Sequence, residues 1–296
     1  MTVTAPPAPP AAQRLVLGRR PKLLTSSVLR GLALLGYVVF LAFPLLWMLS
    51  VSLKPTAEIL QGGSSLLPRD ATLEHFRNVF GNPQIAQAIG NSLRVATIAA
   101  VVSVLLALPA AYALARFKGW LSNGMQGWVL VSQLFPFILI VIPLFLILRV
   151  FGLYNSHTGL VSVYVVWSLP FALWMLQGFV KGIPLTLEEA ASVDGAGRWQ
   201  IVRHVIAPLL LPGVAATALY AFILSWNEFF FALVLLRDPD LATLPLLLAR
   251  YTGIEGAGRW GPLAAASFVA TLPSLLIFAF LQRGLTSGLL SGAVKE

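Results

Sequence analysis

Apolar residues in this chain run in long blocks, and the polar residues gather in short stretches between them. The blocks lie at about 31–53, 93–115, 125–150, 158–180, 208–236 and 263–282. Each is near or above the roughly 20 helical residues needed to cross a hydrocarbon core about 30 Å thick. The pattern predicts an all-α integral membrane protein with six transmembrane helices. The first block continues through "FPLLWMLSVSL" to Lys54. It is longer than the apolar region of a signal peptide and has no small-residue cleavage site soon after it, so it reads as an uncleaved span.

Composition agrees. Hydrophobic residues make up 58% and charged residues 10% of the 296, where a soluble domain carries about 25% charged. The opening "MTVTAPPAPPAAQ" is too rich in proline and alanine to build a core. The expected organisation is a disordered tail over 1–25, a six-helix transmembrane domain over 26–282, and a C-terminal tail over 283–296.

Charge orients the spans. Six crossings put both termini on one side, and that side holds twelve Lys and Arg against eight on the other, five of the twelve (Arg14, Arg19, Arg20, Lys22, Arg30) in the first tail. By the positive-inside rule both termini and the segment around 181–207 are cytoplasmic. The net charge of +9 is then a loop excess facing membrane lipid, and no basic patch with interleaved aromatics points to nucleic acid. Cysteine is absent, and His75, His157 and His204 are far apart in sequence, so no metal-ligand spacing is present. Pro44, Pro109, Pro136, Pro143, Pro170 and Pro273 lie inside spans. They read either as ordinary tolerance of proline in membrane helices or as kinks lining a cavity.

The scarce charges crowd into "PLTLEEAASVDGAGRWQIVRHVIAPLLLPG" (184–213). Thr186 with Glu189 three positions later has the spacing of a capping box. Glu188 and Glu189 fall in the first turn, where the helix dipole favours negative charge. Asp194-Gly195 stops this helix, since glycine takes the left-handed conformation readily. A second short helix is expected from about Gly197, carrying Trp199, Ile201, Val202 and Val205, before Pro208 and Pro212 mark entry to the fifth span. Small residues among fixed charges form a docking surface for a soluble partner: Glu188, Glu189, Ala190, Ala191, Asp194, Gly195 and Ala196.

These residues, followed by "APLLLPG", resemble the EAA loop of ATP-binding-cassette (ABC) importer permeases. "NSLRVATIAAVVSVLLALPAAYALARF" and "SWNEFFFALVLL" are similar to the second and fifth helices of the carbohydrate-uptake branch, and "GLTSGLLSGAVKE" to the tail of MalG-type maltose permeases. The resemblance covers nearly everything after about residue 25. The Pro-Ala opening and the inserted "LLSG" depart from it. It implies the type I importer fold, with a cytoplasmic coupling helix between helices 4 and 5, in a prokaryotic inner membrane. It also implies partners: a homologous second permease, two ATPase subunits and an extracytoplasmic sugar-binding protein. A phosphate-binding loop requires Gly-Lys, and the chain contains none. ATP and Mg then belong to the ATPase partner, and this chain is a non-catalytic subunit without a cofactor of its own.

Polar residues within spans are the candidates for a sugar path, because burying them in lipid is costly. They are Gln133, Gln177, Asn227 and Glu228, with Trp226 beside the last two. Helix packing by the same residues is the competing reading. In MalG-like proteins the loop before the last span reaches the docked binding protein, which assigns Tyr251, Gly253, Glu255, Gly256 and Gly258 to that contact. The function implied is import of a di- or oligosaccharide such as maltose or trehalose. A permease for glycerol phosphate, amino acids or peptides is the alternative. An ion-coupled carrier fits less well, since Glu228 is the only acid inside a predicted span.

Overall fold

The computed structural model describes residues 22–62, 65–117, 119, 124, 127–129, 131–132, 134, 136–251 and 260–292; for 22–27, 137, 251 and 281–292 it describes the backbone alone. The described residues are helical, with no strand among them. Two compact units divide the chain, residues 1–46 and 47–296.

Helix α1 covers Lys22–Ser52, so it begins within the segment expected as tail. Short helices α2 (Thr56–Leu60) and α3 (Glu74–Gly81) precede α4 (Pro83–Arg116). Then come α5 (Phe137–Val150), α6 (His157–Gly182) and α7 (Leu185–Val193). α8 runs over Arg198–Trp226, α9 over Phe230–Leu235, α10 over Leu244–Tyr251 and α11 over Trp260–Gly292. Among the described residues, five helices are long and apolar enough to cross a membrane, and the stretch Ile138–Val150 of α5 is apolar but shorter. The third block, expected over 125–150, has a described helix only from Phe137.

Two expectations are corrected. The short helix expected after Gly197 is the first part of α8, which continues through a π-helical turn at Val202–Ile206 into Ala207–Trp226. Pro208 lies two residues past the π-helical turn, inside this continuous helix, where it removes one backbone donor from the ladder. The fifth span is not continuous over 208–236 either. It breaks at Asn227–Phe229 before α9.

The bundle in residues 47–296 is organised around a contact between α4 and α6. Ala99, Ser103, Ala107 and Ala111 on α4 are all fully buried, as are Leu160, Ser168, Ala172, Leu176 and Val180 on α6. Spacings of four put each row on one helix face. Small residues let the backbones approach closely, which is how helices gain packing energy where lipid offers no hydrophobic drive. At the contact the Ser103 and Ser168 hydroxyls meet at 2.7 Å, and Ser103 also donates to the Ala99 carbonyl at 2.6 Å. Gly213 of α8 is a similar close approach, since a Cβ there would lie 2.4 Å from the Phe179 ring.

Side-chain caps start α4 and α6. The Asn82 side chain accepts from the Gln84 N–H at 2.9 Å ahead of α4, and Ser156 Oγ accepts from the Gly159 N–H at 3.1 Å ahead of α6.

Candidate functional site

Helix α7 begins one residue after Pro184, with no side-chain cap. Thr186 is therefore inside the helix, and the expected capping box is absent. Proline fixes the φ required at a helix entry, so the start moves two residues upstream. The end is as expected from Asp194-Gly195. Gly195 has φ +85°, its N–H donates to the Ser192 carbonyl at 3.1 Å, and the Ala196 N–H donates to Ala191 at 3.0 Å. This pair of bonds is a Schellman motif, which satisfies carbonyls left free at a helix end. The Gln200 side chain then reaches back to the Gly197 N–H at 2.8 Å and fixes the start of α8.

Beneath the segment lies an apolar cluster of Val180, Ile183, Ile201, Ile206 and Leu210, with Ala191 and Ala196 packed against it. Glu189, Ala190, Asp194 and Gly195 are exposed. Val193 is 88% and Trp199 74% exposed, so the outward face combines large apolar side chains with acids. Glu188 differs from the rest. Its Oε1 accepts from Arg116 Nε at 2.6 Å and its Oε2 from the Tyr112 hydroxyl at 2.7 Å. Neither partner is legible in the sequence, since Tyr112 and Arg116 lie 76 and 72 residues away.

The residues expected along a sugar path do not assemble into one pocket. Glu228 follows the end of α8, where both its oxygens are occupied. Oε1 accepts from the Phe231 N–H at 2.9 Å, and Oε2 from the Tyr164 hydroxyl at 2.8 Å and the Ala232 N–H at 3.3 Å. The side chain thereby caps α9. Asn227 is exposed, and its amide donates to the Ile223 carbonyl at 2.8 Å. Trp226 is 3% exposed, within a cluster with Phe222, Ala266 and Val269, and its indole N–H donates to Ala270 at 3.3 Å. It packs against α11 as a buried core residue. Gln177 is buried and donates to the Leu114 carbonyl at 3.3 Å. It lines a cavity of about 610 Å³ with Trp174, Phe179, Lys181 and Pro212. Thirteen residues of α6 separate Gln177 from Tyr164, a rise of roughly 20 Å. Gln133 lies outside the described residues.

At the other end of α6 the link from α9 to α10 is pinned from three elements. Gln87 and Asn91 of α4 donate to the Asp240 carbonyl at 2.9 and 2.8 Å, and Asn91 also to Ala242 at 3.1 Å. His157 Nε2 donates to Leu241 at 3.0 Å. Asn155, at φ 54°, a left-handed conformation that asparagine tolerates, accepts from the Arg237 and Asp238 N–H groups at 2.8 and 3.1 Å. Tyr251 is the last residue of α10. Its side chain, with Gly253, Glu255, Gly256 and Gly258, lies outside the described residues.

Known proteins resemble the chain over most of its length. The family described as binding-protein-dependent transport system inner membrane component matches residues 103–290. The diacetylchitobiose uptake system permease protein DasC of Streptomyces coelicolor is 38% identical, over 86% of this chain and 92% of that one. The trehalose transport system permease protein SugB of Mycobacterium tuberculosis is 37% identical, over 88% and 93%. Among solved structures, a chain of a bacterial ABC transporter involved in import of the acidic polysaccharide alginate superposes with a TM-score of 0.74 at 22% identity, covering 90% of this chain and 98% of that chain. A multi-pass helical chain with this extent of similarity belongs to the family of inner-membrane permease components of binding-protein-dependent ABC transport systems.

Proposed function

We propose that this chain is the sugar-conducting permease subunit of an ABC importer, moved by ATPase subunits that dock on α7. The observation that carries this reading is the outward face of α7 and the start of α8. Glu189, Val193, Asp194 and Trp199 are presented there on a segment fixed by a Schellman turn and an apolar base. Exposed apolar residues on a rigid support are what a partner surface needs. No Gly-Lys occurs in the chain, so the nucleotide site belongs to the partner, and α7 acts as the coupling helix on the cytoplasmic side.

Six crossings are supported by the connections. The end of α4 meets Ile183 and its beginning meets 240–242, while α6 runs from His157, beside Leu241, to Gly182. The chain must therefore return across the bundle between 117 and 156, where α5 lies. With both termini cytoplasmic, the pinned link at 236–244 faces outward and carries the loop toward an extracytoplasmic binding protein. A second, homologous permease would complete the pathway.

The two relatives are named for disaccharides, which favours a di- or oligosaccharide as cargo. Glu228 argues against ion coupling. Its oxygens accept from three donors, two of them backbone N–H groups, an arrangement suited to a fixed structural cap.

The test is co-purification. Asp194→Arg is expected to leave the protein in the membrane with an unchanged elution profile and to abolish recovery of the ATPase subunit; Gly195→Trp is expected to do the same. Retention of the ATPase by both variants would overturn the reading.

A further inference from the structure

Glu188 belongs by position to the docking segment, yet it faces the bundle. Its carboxylate and the Arg116 guanidinium are each 12% exposed at 2.6 Å. Arg116 Nη2 also donates to the Ile183 carbonyl at 3.0 Å, just past the end of α6. A single guanidinium thus ties the last turn of α4 to both α7 and the exit of α6. Tyr112 lies four residues earlier on the same face of α4 and supplies a second bond to Glu188.

We propose that Tyr112, Arg116 and Glu188 form a latch that makes α4 and α7 move as one body when the ATPase subunits close; this rests on the coupling function above. Apolar packing beneath α7 is non-directional, so it resists separation better than it resists sliding. A charged fork bonded to two acceptors adds the missing direction. From the latch, α4 extends 34 residues, roughly 50 Å at the rise of an α-helix. Along the way its small-residue face is seated on α6, and near its start Gln87 and Asn91 hold the link at 240–242. A displacement at the docking segment then reaches the opposite end of the bundle through one rod. Arg116 and Tyr112 are positioning residues, because they act through Glu188 and α7.

The chain has no cysteine, so spin labels can be placed singly at Ser192→Cys on α7 and Val101→Cys on α4, both partly or fully open to solvent or lipid. The label-to-label distance is measured by pulsed electron paramagnetic resonance in the complex with the second permease and the ATPase pair, before and after ATP with orthovanadate. The otherwise native chain is expected to keep one narrow distance in both states. Arg116→Ala is expected to retain the ATPase but to lose the single distance, with a nucleotide-dependent second population raised at least about fivefold, the lower end of typical coupling factors. The exchanged pair R116E/E188R is expected to restore it. Arg116→Lys keeps the charge without the fork; it gives a milder variant should the alanine protein elute as aggregate, and is expected to show a partial second population.

The latch is overturned if the native distance itself changes with nucleotide, or if Arg116→Ala matches native behaviour. It is equally overturned if R116E/E188R loses the ATPase while R116E alone keeps it, since Glu188 would then be a docking contact. Failure of the unlabelled native chain to retain any ATPase refutes the function reading instead, at an earlier step, and the latch falls with it.

Discussion

Replacing Glu228 by alanine removes an acceptor from three donors at once: the Tyr164 hydroxyl and the N–H groups of Phe231 and Ala232. Tyr164 is 2% exposed, so its hydroxyl has no water to turn to. Each net hydrogen bond to a charged group contributes about 1.5–3 kcal/mol in soluble proteins, but polar contacts between membrane helices average nearer 0.6 kcal/mol. Loss of a helix cap alone costs about 1 kcal/mol. Weighing the two scales, Glu228→Ala is expected to cost about 3 kcal/mol, since the orphaned groups are confined by the break itself rather than free to find new partners. Tyr164→Phe removes one donor and no backbone partner, and is expected to cost about 1 kcal/mol. The assay is reversible unfolding in mixed micelles, followed by tryptophan fluorescence. The double variant should be less destabilised than the sum of the singles by about 1 kcal/mol, as expected for residues in contact. A cost for Glu228→Ala below about 0.5 kcal/mol, with strict additivity, would refute the capping role, because that is the level of an ordinary surface change.

Gly213→Ala is expected to destabilise the bundle by about 1–3 kcal/mol through overpacking, since the new Cβ would fall 2.4 Å from the Phe179 ring. Trimming that ring with Phe179→Leu in the same chain should recover part of the loss in the micelle assay. Ser103→Ala and Ser168→Ala each break the 2.7 Å hydroxyl contact and are expected to cost about 1 kcal/mol apiece. The pair together should cost little more than either alone, because both remove the same interaction.

What the sequence revealed of this fold follows from what lipid demands of it. A span must be apolar for about 20 residues, so the positions of α4, α6 and the long part of α8 were legible from hydropathy. Asp194-Gly195 was legible because left-handed backbone is a local property of glycine. The break at Asn227–Phe229 was not. Phe229, Phe230 and Phe231 around it are as apolar as a continuous helix would be, and Glu228 marks a cap only when Tyr164 is known to face it. Thr186 was misread because its spacing to Glu189 fits a capping box while Pro184, two residues earlier, already sets the entry φ. Trp226 joined the path candidates because it adjoins Asn227 and Glu228, and its burial against Ala270 is a contact with another helix that adjacency does not report. The Arg116–Glu188 pair is separated by 72 residues, and no periodicity reports a contact made across two helices.

The π turn at Val202–Ile206 holds one residue more than an α-helix would use over the same rise. Deleting one residue there would let the helix close into regular geometry, and everything before it would turn by about 100° around the axis. Trp199 would leave its present bearing while Leu210 kept its own. The insertion therefore works as an angular adjustment within α8, setting the bearing of the exposed Trp199 against that of the buried Leu210.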